Sequence, residues 1–164
     1  MTAEPINIRQ ADSGDISVLS SLICDSFRTV AERFNLTSEN CPKHPSNCTD
    51  DWVQNDVARG VEYYILEHKG TPAGCAALEK AEPDLSYLER LAVLPEMRKI
   101  GFGKMLVDYV FDQAKASDAE KIGIGTISDD IELKEWYRKI GFVEGETKEF
   151  SHLPFMVTFM TYEL

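Results

Sequence analysis

Two hydrophobic periods alternate along this chain. Ile6 and Ile8 stand two residues apart, which predicts a short first strand over residues 6–11. Asp12, with Asp15 three residues on, reads as a helix start. Ile16, Leu19, Ile23, Phe27, Ala31 and Phe34 then recur at spacings of three and four, the stripe of an amphipathic helix of about five turns. Residues 36–50, which contain Pro42, Pro45, Cys41 and Cys48, read as a loop. Thr49-Asp50-Asp51 caps a short helix through Ala58 that Gly60 ends. Residues 61–67 predict a strand, Lys69-Gly70 a tight turn, and residues 71–80 its hairpin partner. Residues 85–94 form a third long strand, stopped by Pro95.

Beyond Pro95 the period changes twice more. Met105, Leu106, Tyr109, Val110 and Ala114 make one face of a helix over residues 101–117. Ile122, Ile124 and Thr126 alternate with Gly123 and Gly125 in a short strand. Ser128 is the expected cap of a further helix, with Leu133, Trp136, Tyr137 and Ile140 on one side and Gly141 as its stop. Residues 142–150 and 155–164 close the chain as two strands. The order predicts one domain over residues 1–164 of mixed α/β (α+β) class. Its centre is a mixed, largely antiparallel sheet of about seven strands, with helices on both faces. The early hairpins require antiparallel pairs, and the later strand–helix–strand passage requires a parallel, right-handed crossover.

Composition narrows the function. With 43% hydrophobic and 27% charged residues among 164, the chain has ordinary globular content and enough length for one core. A formal net charge of −11 argues against a nucleic-acid partner, because phosphate binding needs a basic footprint. No apolar run approaches the roughly 20 residues of a membrane span. Residues 1–9 carry no leader pattern, so a cytoplasmic protein is the expectation. Cys24 and Cys75 fall in apolar periodic segments and read as buried thiols. Cys41, His44 and Cys48 offer three soft ligands in one loop. A structural zinc site takes four, so the spacing is read either as a metal site or as a proline-stiffened loop, and no metal is expected.

The chemistry concentrates after the strand that ends in Val93-Leu94-Pro95, where Arg98-Lys99-Ile100-Gly101-Phe102-Gly103-Lys104 leads into a helix. The first-turn amides of a helix lack intrahelical partners and its dipole is positive there. The two glycines admit a bulky anion to the backbone, and three cations stand close by, so the segment reads as a phosphate cradle. A P-loop is excluded, because Arg98 stands where its first glycine belongs and Met105 where its hydroxyl belongs. A dinucleotide fingerprint fails at Leu106, where the third glycine is required.

The pattern Arg-x-x-Gly-x-Gly after a strand ending in Val-x-Pro resembles the coenzyme-A-binding motif of the GNAT superfamily of N-acetyltransferases. Tyr137-Arg138-Lys139-Ile140-Gly141-Phe142 is similar to that family's Tyr-x-x-x-Gly-Phe helix end. The resemblance implies transfer of acetyl from acetyl-CoA to a primary amine by direct attack in a ternary complex. The acceptor would be a small-molecule or peptide amine, with no nucleic-acid or membrane partner. A homodimer through the C-terminal strands is a further expectation of the resemblance. Leu91, Ala92 and Val93 would offer backbone groups to the pantetheine arm. Arg98, Lys99, Ile100, Gly101, Phe102, Gly103 and Lys104 would hold the pyrophosphate.

The same resemblance implies Tyr137 as the acid beside the thioester sulfur, against a reading as a core aromatic. It implies Glu89 as a base working through water, against a reading as a solvent-facing residue. Relatives often carry an asparagine seven residues before the tyrosine. This chain has Asp130 there, so that cofactor contact is not carried over. The loop around Cys41 and the segment His152-Leu153-Pro154-Phe155 are expected to border the acceptor. The competing reading is a non-catalytic acyl-CoA-binding regulatory or scaffold protein.

Overall fold

The computed structural model describes residues 5–164, so the first four residues of the expected domain, and of the expected leaderless start, lie outside the described residues. Its strands are β1 (Ile6–Gln10), β2 (Glu62–His68), β3 (Thr71–Lys80), β4 (Leu85–Val93), β5 (Lys121–Ile127), β6 (Val143–Glu149) and β7 (Met156–Glu163). Its longer helices are α1 (Ile16–Phe34), α2 (Asp50–Ala58), α3 (Phe102–Ala116) and α4 (Ile131–Ile140). The strands form one sheet in the order β1-β2-β3-β4-β5-β7-β6, antiparallel except at β4–β5. That parallel pair is the one joined through α3, as the strand–helix–strand order requires.

Local chemistry starts most of these helices as expected. Asp12 and Asp15 form a reciprocal capping box ahead of α1, and Thr49 Oγ1 accepts from Trp52 N–H at the start of α2. Ser128 is a correction. The strand runs on to Ile127, and Ser128 N–H still donates to Met156 O in that ladder, while its hydroxyl meets Thr158 Oγ1 at 2.7 Å. The helix therefore begins later, and the buried Asp130 caps it, accepting from Leu133 N–H.

Alternation along the strands divides the core into two layers. Tyr64, Leu66, Ile122, Ile124 and Met160 face α3 and α4, packing on Leu106, Val110 and Phe111. Tyr63, Ile65, Cys75 and Ala77 face α1 and α2, packing on Leu19, Ile23 and Val53. A smaller group joins Ala31, Leu36 and Cys41 to Ile127 and Phe155. No helix among the described residues is long and apolar enough to cross a membrane.

Two irregularities interrupt the middle of the sheet, a bulge and a parting of strands. Ala77 pairs with Glu89 and Cys75 with Ala92, so β4 carries one residue more than β3 across that interval. Arg90 absorbs the extra residue with a left-handed backbone, φ +50°. Leu88 and Leu91 keep to the α3 layer, so Glu89 and Arg90 both turn to the α1 face. Beneath the bulge Arg90 is held by Asp56 Oδ2 at 2.7 Å and the Tyr63 hydroxyl at 3.2 Å, and its guanidinium lies over the Trp52 ring. A bulge bends its strand and raises its twist. Accordingly β4 pairs with β5 only from Leu85 to Tyr87, and the two strands part beyond that point.

Candidate active site

The parting of β4 and β5 opens a cleft of about 960 Å³ that runs through the sheet. Its β4 edge is set by strand parity. Leu94 N–H donates to Ala73 O, so Ala92, two residues earlier, also directs its backbone at β3, while Leu91 and Val93 direct theirs at the gap. Of the three residues expected to offer backbone groups, Leu91 and Val93 are placed to do so. Ala92 is committed to its pairing with Cys75. Such a strand edge, with β5 drawn away, leaves N–H and C=O groups wanting partners, apart from Val93 O, which accepts from Arg98 Nε.

The turn after β4 meets this edge. Arg98 faces inward rather than toward the turn: its Nε donates to Val93 O (3.0 Å), and its terminal nitrogens donate to Thr29 Oγ1 (2.9 Å) and Ser26 O (2.6 Å). The side chain thus ties α1 to the end of β4, and burial lowers its pKa from the usual guanidinium value. Lys99 and Gly101 both take left-handed backbones, φ +67° and +92°, a reversal that suits glycine and strains lysine. α3 then starts at Gly101 without any side-chain cap, unlike α2 and α4, so the N–H groups of Phe102, Gly103 and Lys104 lack intrahelical acceptors.

Among those residues the Phe102 ring is buried in the core, Ile100 is exposed, and Lys104 Nζ lies 2.5 Å from Asp108. A Cβ at Gly103 would come within 3.3 Å of the Trp136 ring, so this position is small for the contact between α3 and α4 as well as for any ligand. Uncapped amides, a positive helix end and Lys99 together favour an anion here.

Tyr137 and Glu89 reach the cleft from opposite faces of the sheet. Tyr137, 6% exposed, packs edge-on against Trp136 and Phe142 in the α3/α4 layer. Its hydroxyl has no hydrogen-bond partner among the described residues, and burial pushes its pKa well above the ordinary phenol value. It is both a core aromatic and a lining residue of the cleft. Glu89 stands half-buried on the α1 face, where burial raises its carboxyl pKa and the nearby Arg90 and Arg59 oppose the shift.

Sequence reasoning missed several lining groups. Ser26 Oγ is buried, with the residue 2% exposed, and has no partner among the described residues. Arg33 reaches from α1 to Asp130 Oδ1 at 3.2 Å, linking the two helices beside the cleft. Phe27, Val157 and Phe159 complete an apolar wall. Only the Arg33–Asp130 charge pair had any signal in the sequence, and its members are far apart along the chain.

The expected borders are present in part. His44 and Pro45 line the cleft from the loop, and Phe155 lines it from the last connection, while the His152 ring packs on Phe150 instead. His44 Nδ1 bonds Ser46, its ring lies against Phe27, and Cys41 and Cys48 are buried in separate clusters. Among the described residues no group of three or more His, Cys, Asp or Glu side chains is placed to hold a metal.

Known proteins share this architecture. The model of the acetyltransferase (GNAT) family matches residues 25–142. The amino-acid acetyltransferase of Neisseria meningitidis serogroup A is 33% identical over 139 residues, 84% of this chain but 27% of that protein. The chain therefore spans about a quarter of the length of that relative. In structure it is similar to the PaiA N-acetyltransferase of Thermoplasma acidophilum, solved in complex with coenzyme A. The TM-score is 0.81 at 17% identity, covering 98% of this chain and 99% of that one. It is also similar to N-acetylglutamate synthase of Neisseria gonorrhoeae, complexed with coenzyme A and N-acetyl-glutamate. There the TM-score is 0.72 at 24% identity, covering 99% of this chain and 36% of that one. With a family model matched over most of its length, the chain belongs to the acetyltransferase (GNAT) family.

Proposed function

We propose that this chain transfers an acetyl group from acetyl-CoA to a primary amine, by direct attack within a ternary complex. The observation that carries the reading is the continuity of one cleft. The strand edge that β5 leaves at Leu91 and Val93 leads to the uncapped amides of Phe102, Gly103 and Lys104, with Tyr137 and Glu89 on opposite faces. The strand edge suits the amide-bearing pantetheine arm, and the helix end with Lys99 suits the pyrophosphate. Arg98 serves this site indirectly, by fixing the end of β4 against α1.

In the reaction the amine lone pair attacks the thioester carbonyl carbon. A C–N bond forms and the C–S bond breaks, yielding an N-acetyl amine and the thiol of CoA. Glu89 takes the proton released by the ammonium, through water, and Tyr137 delivers one to the departing sulfur. None of the cysteines lines the cleft, and burial raises the thiol pKa of Cys41, Cys48 and Cys75, which speaks against an acyl-cysteine intermediate. The test combines calorimetry of CoA binding with acetyl-CoA-dependent thiol release over a panel of amines. Intersecting double-reciprocal plots are expected, and parallel ones with an acetylated cysteine would refute direct attack. Tight CoA binding with no turnover on any amine would instead make the chain a non-catalytic acyl-CoA-binding protein.

A further inference from the structure

The α1 face of the cleft carries information on the acceptor, an inference that rests on the transferase reading above. Its floor is made by the Tyr87 ring and by β5 at Gly125. Ile122 and Ile124 turn to the α3 layer, so β5 presents Gly123 and Gly125 on this face. A Cβ at Gly123 would stand 2.8 Å from the Tyr87 ring, which covers that position, and Gly125 is exposed at the cleft with Val157 and Phe159 beside it, 3.3 and 3.7 Å from where its Cβ would stand. Above this floor the walls are Phe27 and Val30 from α1 and Phe155, Val157 and Phe159 from the other side. The space is aromatic and apolar, with the Tyr87 ring and Gly125 at its base.

Most of the charged groups on this face are already engaged. Arg33 is paired with Asp130. Arg90 is paired with Asp56 beneath the bulge. Arg98 donates to two carbonyls and a hydroxyl. His44 has its Nδ1 on Ser46, and its burial favours the neutral ring. The other lining cations, Lys99 and Lys104, belong to the turn and first residues of α3, so on the α1 face an acceptor carboxylate would meet apolar walls and cations already engaged, which is costly. Of the lining carboxylates, Asp130 is taken by Arg33 and Glu132 stands exposed in the first turn of α4. Glu89 is left without an ion-pair partner among the described residues, and a single carboxylate accommodates a single ammonium.

We propose that the acceptor is a monoamine with an apolar or aromatic body, an arylalkyl- or alkylamine carrying neither a carboxylate nor a second ammonium. The likeness to an amino-acid acetyltransferase would suggest a free amino acid instead, so the two readings separate cleanly. The experiment offers the chain acetyl-CoA with 2-phenylethylamine, L-glutamate or spermidine and reads kcat/KM from thiol release. The expected result is 2-phenylethylamine ahead of both others by at least about tenfold, since one lost methylene contact alone is worth that much. Phe159→Ala should raise KM for 2-phenylethylamine several-fold and leave CoA affinity unchanged.

Glutamate or spermidine used as well as 2-phenylethylamine would overturn the assignment and leave the transferase reading intact. Turnover of none of the three would also overturn it. CoA binding measured on the same preparation then decides whether the cofactor site falls with it.

Discussion

Replacing Tyr137 with Phe separates catalysis from folding more sharply than any other single change in this protein. The ring sits between Trp136 and Phe142, 5.0 and 5.2 Å from their centroids, and phenylalanine preserves both contacts. What is lost is a hydroxyl at the cleft that has no hydrogen-bond partner among the described residues. No protein hydrogen bond is given up, so its removal should leave stability within about 1 kcal/mol of the parent.

Turnover should fall. General acid catalysis is worth typically 10²–10⁴-fold, about 3–5 kcal/mol of barrier. Two features place Tyr137 at the lower end. Burial raises its pKa, which keeps it protonated at neutral pH but weakens it as an acid. The leaving thiolate, whose parent thiol has a pKa of about 8.5, is also a fair leaving group without help. The expected outcome is about a hundredfold loss of kcat, an unchanged CoA dissociation constant and a melting temperature close to the parent's. Thiol release, calorimetry and thermal denaturation on one preparation read all three. Unchanged turnover would refute the acid role and leave Tyr137 as packing alone. Lost CoA binding would make it a cofactor-wall residue.

Three further outcomes are expected. Gly103→Val should abolish measurable CoA binding by calorimetry, because the new side chain covers the α3 amides and presses on Trp136, 3.3 Å from the added Cβ; parent-like affinity would remove the cradle from this turn. Glu89→Gln should lower kcat and erase the loss of rate that the parent shows as acidification protonates this carboxyl, and a mutant with the parent's pH profile would exclude Glu89 as base. Because burial raises the Glu89 pKa above its unfolded value, the native state holds the extra proton, and ionisation costs stability as pH rises. Denaturation should therefore find Glu89→Gln more stable than the parent at neutral pH, with the gain vanishing below about pH 4, the ordinary Glu range. Asp15 behaves oppositely: its hydrogen bonds from Arg9 lower its pKa from 3.8 to about 2, so its contribution is present above pH 3.8 and lost as pH falls to about 2. Asp15→Asn should be destabilised at pH 7, with the deficit shrinking as pH falls through about 2; an equal deficit across that range would assign the effect to packing.

What the sequence by itself determined is what depends on neighbours a few residues away. The stripe from Ile16 to Phe34, the alternation of Ile122 and Ile124 with glycines, and the Asp12–Asp15 start all produced their elements, because period and capping act within a turn or two. The turn from Arg98 to Lys104 was legible for the same reason. Tertiary structure decided what depends on partners far along the chain. Ser128 lost its expected role because Met156 and Thr158 keep it in the sheet, leaving Asp130 as the cap under Arg33, 97 residues away. Arg98 turned inward because Ser26 O lies 72 residues away in sequence and 2.6 Å away in space. The cleft itself arises from a mismatch of one residue between β3 and β4, absorbed at Arg90 and held by Asp56, 34 residues earlier. A count mismatch exists only once two strands are paired, so no period within either strand could announce it.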